Sequence, residues 1–221
     1  MGGYTGRVQP GGTPAVHELA HLVMTKLSVG GSWDNNVYLL RCRYSGDQLI
    51  IDAAAEPERI IATCGEGPVR QIVTTHRHAD HWRALDAVAT ATGAVTVAHA
   101  DDAPAIRAGA GIAQQVRDGD RLRFGSIELE VIHLAGHTPG GIALLYDDPT
   151  GPPHLWTGDS LFPGGVGKTT SPADFAVLLA DVTRKLFDRL PDETWVYPGH
   201  GDDTTLGRER PHLAEWRARG W

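Results

Sequence analysis

One heptapeptide constrains this chain more than any other stretch: Thr75-His76-Arg77-His78-Ala79-Asp80-His81. It places four residues with metal-binding side chains within six positions, directly after the strand-like run Gln71-Ile72-Val73-Thr74. In an extended segment, side chains two apart point the same way. His76, His78 and Asp80 are therefore expected on one side, with His81 out of that register. A run that aims ligands in two directions suits two adjacent metal ions better than one. A polar surface turn is the plain alternative, but three histidines and an aspartate rarely share so short a turn.

Three further candidates follow at longer range. His137 sits in Ala135-Gly136-His137-Thr138-Pro139-Gly140-Gly141, Asp159 in Trp156-Thr157-Gly158-Asp159-Ser160, and His200 in Val196-Tyr197-Pro198-Gly199-His200-Gly201. Each follows a strand-like segment and has a glycine beside it, which permits a tight turn. All seven are thus expected on loops at strand ends, where a rigid sheet presents them.

This order and spacing resemble the metallo-β-lactamase fold superfamily, and within it the branch like hydroxyacylglutathione hydrolase (glyoxalase II). The resemblance runs from about Leu22 to His200. It implies an α+β fold, a four-layer αββα sandwich with a two-metal site at one sheet edge. Carried over by position, His76, His78 and His137 look like ligands of the first metal. Asp80, His81 and His200 look like ligands of the second, and Asp159 like the bridging carboxylate. The chain departs from that branch in three places. Only 21 residues follow His200, too few for the helical extension that helps those enzymes bind glutathione. The aromatic residue expected soon after the last histidine is replaced by Gly201-Asp202-Asp203-Thr204-Thr205, and a Gly-Cys-Gly-Arg-like segment by Gly165-Val166-Gly167-Lys168. Lys168 is retained as a candidate anchor for a substrate carboxylate. Trp33, in the turn between the first two strands, is a candidate substrate wall.

The chemistry expected of two such ions is hydrolysis. They lower the pKa of a bridging water toward neutrality, and the hydroxide held between them attacks an activated acyl compound, with Asp80 orienting it. The expected substrate is a small thioester or lactone, without strong dependence on a glutathione portion. Zinc suits the ligand types, and iron or manganese accept the same set. Asp159 argues against β-lactam hydrolysis, since enzymes resembling true β-lactamases usually lack that carboxylate. A second class stays open: persulfide dioxygenases share the fold and resemble a mononuclear iron version, for which His76, His137 and Asp159 would be the ligands.

Length and composition fit one domain spanning 1–221, with an irregular lead-in over 1–20 and a short helical tail over 205–221. No apolar run approaches membrane-spanning length and no basic-then-apolar leader opens the chain, so a cytoplasmic protein is expected. Cys42 and Cys64 then default to free thiols. The net charge of −7 argues against a nucleic-acid partner.

Periodicity predicts strands over Leu22–Gly30, Asn36–Cys42, Gln48–Asp52, Val69–Thr74, Val95–Ala98, Gln114–Val116, Arg121–Phe124, Ile127–His133, Ile142–Tyr146, His154–Thr157 and Thr194–Tyr197. Helices are predicted over Pro57–Thr63, Trp82–Thr92, Ala103–Ala108, Pro172–Arg189 and, broken near Pro211, Arg208–Arg219. His17-Glu18-Leu19-Ala20-His21 matches the short zincin pattern, but Pro14 and the following strand leave no room for the helix that pattern needs. His99 and His133 are expected in structural roles, His133 close to the metal loop. Arg208 and Arg210 are expected on a solvated surface, and Trp216 and Trp221 packed against the body.

Overall fold

The computed structural model describes residues 4–220. Two sheets account for most of them. In the first, β1 (Ala15–Glu18), β2 (Leu22–Val29), β3 (Asn35–Cys42), β4 (Gln48–Ile51), β5 (Val69–Thr74), β6 (Val95–His99) and β7 (Gln114–Val116) lie side by side in sequence order. The first four pair antiparallel, and β4 to β7 pair parallel. The parallel part needs crossovers, which α1 (Pro57–Cys64), α2 (Leu85–Thr92) and, between β6 and β7, a loop with one 3-10 turn supply.

In the second sheet β8 (Arg121–Phe124), β9 (Ile127–His133), β10 (Ile142–Tyr146) and β11 (His154–Gly158) form an antiparallel meander. β12 (Leu161–Phe162) and β13 (Gly165–Val166) then make a small separate hairpin. α3 (Pro172–Val182) returns the chain to β14 (Trp195–Pro198), which pairs parallel to β11, and β15 (Thr204–Thr205) closes that edge. The tail adds α4 (Leu206–Glu209) and α5 (Leu213–Arg219).

Three apolar layers hold these elements together. Between the sheets, Met24, Leu40, Leu49, Val73 and Val97 meet Leu129, Val131, Leu144, Trp156 and Tyr197. On the outer face of the first sheet, Leu39, Ile50 and Ile72 pack on Ile60 of α1 and Leu85 and Val88 of α2. On the outer face of the second, Ile132, Ala143, Leu145 and Val196 pack on Leu178 and Val182 of α3 and Trp216 of α5. Neighbouring residues such as Leu39 and Leu40 thus face different layers, both buried, which is why the strands read as continuous apolar runs. Helix, sheet, sheet, helix is the expected four-layer αββα sandwich.

Several boundaries differ from the sequence reading. The lead-in is not wholly irregular, since β1 pairs with β2 from Ala15 to Glu18. The helix expected from Trp82 starts at Leu85, because a 3-10 turn over Ala79–His81 occupies the chain first. Ala103–Ala105 is a single 3-10 turn. The long helix ends as α at Val182 and widens into a π turn over Thr183–Phe187. There the Thr183 hydroxyl donates to the Leu179 carbonyl, competing with the helical ladder. β12, β13 and β15 are two residues each, too short to carry a period. In the tail, Trp216 is buried against Phe187, while Trp221 lies outside the described residues. Among the described residues, no helix is long and apolar enough to cross a membrane.

Candidate metal centre

The ends of β5, β9, β11 and β14 converge at one edge of the sandwich, where the two sheets are tied together. Ile142 N–H donates to the Thr75 carbonyl, and Asn36 N–H to the Gly199 carbonyl. Close packing here restricts two positions to glycine. Gly158 has φ +48°, and an added Cβ would sit 2.6 Å from Thr75 Oγ1. At Gly199 a Cβ would sit 2.3 Å from Asp159 Oδ1 and 2.7 Å from His81 Cε1.

This edge brings all seven candidates together as two adjoining sets. His76, His78 and His137 form one, and Asp80, His81 and His200 the other, each with one nitrogen or oxygen per residue within 4.8 Å of the rest. Asp159 reaches both: its Oδ2 is 3.6 Å from His137 Nε2 and 3.5 Å from His200 Nε2, and its Oδ1 is 3.5 Å from His81 Nε2. The expected alternation fails at one residue. Asp80 groups with His81 rather than with His76 and His78. His78 is the last extended residue, and the 3-10 turn that follows rotates Asp80 and His81 to the other side.

Four of the five histidines are oriented by a hydrogen bond at Nδ1. His81 Nδ1 donates to Asp52 Oδ2 at 2.8 Å, His137 Nδ1 to the Lys168 carbonyl at 2.6 Å, and His200 Nδ1 to the Trp33 carbonyl at 2.7 Å. His76 Nδ1 lies 3.1 Å from Thr75 Oγ1, which itself donates to Asp52 Oδ2 at 2.7 Å. With the proton assigned to Nδ1, each Nε2 turns a lone pair inward. His81 Nε2 and His200 Nε2 then face each other at 3.2 Å, and His137 Nε2 faces His78 Nδ1 at 2.9 Å. His76 Nε2 is buried without a hydrogen-bond partner, as is Asp159 Oδ1. Converging lone pairs and orphaned buried acceptors fit a cation, so the donor set suits divalent ions.

Electrostatics divide the centre in the same way. Burial and the neighbouring His81 push His76 well below the ordinary histidine value, and burial with His137 lowers His78. Burial also opposes charge on His81, but Asp159 and Asp52 outweigh it and hold this ring well above that value. His200, against the same burial, is pushed up to about 10 by hydrogen bonds to Asp159 and Asp80. The His200 hydrogen bond holds Asp80 well below the usual carboxylate range. The carboxylate-rich half therefore attracts positive charge, for which a divalent ion competes with protons.

A second histidine cluster shows what this arrangement excludes. His99, Asp101 and His133 also bring ligand atoms within 4.8 Å of one another. Their two rings, however, lie stacked at 4.2 Å with only 10° between planes. Imidazole lone pairs lie in the ring plane, so parallel rings cannot aim both at one ion. In the main centre, neighbouring rings meet at 55–90°. His133 serves the centre indirectly, since its Nε2 donates to the Pro139 carbonyl in the loop that carries His137.

Residues 30–200 match the model of the metallo-beta-lactamase superfamily. The chain belongs to that superfamily. It is 34% identical over 181 residues to a hydroxyacylglutathione hydrolase of Polaromonas sp., with 81% of this chain and 66% of that protein aligned. It thus spans slightly less than two thirds of that relative's length. The crystal structure of BLEG-1 B3 metallo-beta-lactamase superposes with TM-score 0.78 at 25% identity, covering 87% of this chain and 99% of that one. TTHA1623, solved in a di-iron-bound form, is 35% identical at TM-score 0.65, covering 82% and 94% of the two chains. Superfamily proteins bind a dinuclear metal site, and this chain has candidate His and Asp groups for one.

The remaining candidate residues fall in different places. Trp33 stands beside the centre, 57% exposed, with its carbonyl on His200. Lys168 also stands beside it, its carbonyl on His137 and its side chain exposed. His17 and His21 are elsewhere, His17 on β1 bonded to the Tyr197 hydroxyl and His21 to the Tyr44 hydroxyl. Arg210 is committed to Asp192 and to the Phe187 and Leu190 carbonyls. Sequence reasoning missed two residues. Asp52, 1% exposed at the end of β4, holds His81 directly and His76 through Thr75. Asn35 donates to Asp80 Oδ2 at 3.1 Å. The signal available for Asp52 was an acidic residue ending the apolar run Leu49-Ile50-Ile51.

Proposed function

We propose that this chain is a two-metal hydrolase acting on a thioester or a related small acyl compound. The observation that carries the reading is Asp159, a carboxylate within 3.5–3.6 Å of histidine nitrogens of both sets. In this reading His76, His78 and His137 would hold one ion and Asp80, His81 and His200 the other, with Asp159 within reach of both sets. Zinc suits the donors, and iron or manganese accept the same set. The ions, when bound, supply a low-pKa water as nucleophile and polarise the substrate carbonyl.

The protein's own residues do the positioning. Asp80, held by the amide of Asn35, accepts the hydrogen bond that points the nucleophile at the acyl carbon. Asp52 takes the Nδ1 proton of His81 and holds Thr75 Oγ1 as the partner of His76 Nδ1, so that both rings present Nε2 inward. Trp33 forms one wall of the approach and Lys168 another. No covalent acyl-enzyme is required, and both cysteines are free and buried, which also suits a reducing, cytoplasmic compartment. The name of the Polaromonas relative supports a thioester as substrate. A single iron on His76, His137 and Asp159, as in a dioxygenase, would leave the convergence of Asp80, His81 and His200 without a use.

Elemental analysis joined to a panel of a thioester, a lactone, a β-lactam and a persulfide tests the reading. Two ions per chain with thioester or lactone cleavage is the expected result. One iron per chain with oxygen consumption on the persulfide would replace the hydrolase by the dioxygenase.

A further inference from the structure

We propose that Arg83, laid over Trp33 at the rim of the metal centre, binds a carboxylate carried by the substrate. The inference rests on the hydrolase reading and adds a substrate class to it: anionic acyl compounds.

Arg83 follows His81 by two positions and is exposed. Its Cζ lies 5.3 Å from the Trp33 ring centroid, a cation-π stack. Trp33 is itself anchored to the centre, because its carbonyl accepts from His200 Nδ1. The turn that carries it is fixed at both ends. Gly30 N–H donates to Glu56 Oε1 at 2.9 Å, and Asp34, in the left-handed region at φ 48°, accepts from the Ser28 hydroxyl. The guanidinium therefore rests on a rigid platform beside the ligands of the second set.

Its donors are uncommitted. Among the described residues, no hydrogen bond or ion pair engages the Arg83 side chain. Arginines with a structural task in this chain are used differently. Arg189 forks onto both oxygens of Glu130 at 2.6 Å, and Arg59 is spent on Glu56 and on the Gly12 and Ser28 carbonyls. A guanidinium held over an aromatic ring without a hydrogen-bond partner still has its N–H donors to offer, and their fork matches the two oxygens of a carboxylate. Stacking also limits the rotamers of the long side chain, so less entropy is lost when the ligand arrives. In a chain of net charge −7, such a cation adds a local positive charge beside the centre. The Lys168 side chain, also without a partner among the described residues, stands beside the other set of ligands, through the Lys168 carbonyl on His137.

The carboxylate belongs either to the acyl part or to the thiol part of the substrate, and paired probes separate the two. One pair is the S-acetyl ester of 3-mercaptopropionate and its amide. The other is a succinyl monothioester and its succinamoyl counterpart. In metal-loaded wild-type protein, kcat/KM is expected to favour the carboxylate member of one pair. Arg83→Gln should collapse that preference by roughly tenfold to a hundredfold, and Arg83→Lys should restore part of it. Non-cleavable thioethers of the same pairs give a readout independent of turnover. The carboxylate member should quench Trp33 fluorescence, identified with Trp33→Phe as blank, and Arg83→Gln should weaken that binding by a similar factor. An unaltered carboxylate-to-amide ratio in Arg83→Gln, or equal binding of the two thioethers by wild-type protein, overturns the proposal. Failure of every thioester to be cleaved, with carboxylate-dependent quenching intact, would instead refute the hydrolase reading and leave the anion site standing.

Discussion

Replacing Asp52 by Asn removes one charge and almost no volume, yet it should disturb the centre more than many direct contacts do. Asp52 is 1% exposed and accepts three hydrogen bonds: from Thr75 N–H at 2.7 Å, from Thr75 Oγ1 at 2.7 Å and from His81 Nδ1 at 2.8 Å. An Asn amide brings two donors and can be placed in two ways. With nitrogen at the Oδ1 position it faces the Thr75 N–H, donor against donor, and strands two buried donors at about 1–3 kcal/mol each. With nitrogen at the Oδ2 position it donates to His81 Nδ1. The His81 proton then moves to Nε2, the atom that faces His200 and Asp159, and the ring stops being a ligand. Losing an orienting carboxylate of this kind costs metal affinity about 10–100-fold, or roughly 1.4–2.7 kcal/mol. Chelator competition followed by elemental analysis reads the affinity, and urea unfolding of the metal-free protein reads the stability. Asp52→Asn should fail in at least one of the two. Wild-type affinity for both ions together with wild-type stability would refute the reasoning, and with it the assigned tautomer of His81.

Three further outcomes can be checked. His137→Ala should lower metal content and abolish turnover, whereas His17→Ala and His21→Ala should do neither, which elemental analysis of the three proteins decides. Lys26→Met should destabilise the fold by about 3–5 kcal/mol in urea unfolding, because Lys26, 0% exposed, leaves the buried Asp203 carboxylate at 2.6 Å without its cation. The same ammonium donates to the Gly201 carbonyl beside His200 at 2.7 Å, so second-site metal affinity should fall with it. Glu130→Gln should cost about 1 kcal/mol at neutral pH, discounted because the Arg189 side chain is 44% exposed. The Arg189 hydrogen bonds hold the Glu130 carboxyl below its ordinary value, so the native state favours the ionised form. That stability is fully present above the unfolded pKa of 4.5 and is lost as pH falls through the lower folded one, so wild type and variant should converge in acid.

How much of this was legible in the sequence follows from how local each signal is. The seven candidate ligands were readable because each sits at the end of an apolar strand, and strand ends in such a sandwich meet at one edge. Their grouping followed from the family resemblance but not from strand alternation. Alternation is a rule for extended chain, and a 3-10 turn of three residues, Ala79–His81, was enough to move Asp80 into the company of His81 and His200. The supports were the least readable. Asp52 lies 29 positions before His81, and the Trp33 carbonyl 167 before His200, so no spacing in the chain relates them. Two of the four Nδ1 bonds go to backbone carbonyls, Trp33 and Lys168, and any residue type could have supplied those oxygens. The histidines announce a metal centre through their side chains. What makes their lone pairs converge is the backbone of two distant loops and one buried carboxylate. The same two loops present the uncommitted cations Arg83 and Lys168 to solvent, Arg83 by way of Trp33. A substitution that shifts either loop should therefore alter metal affinity and substrate charge preference together.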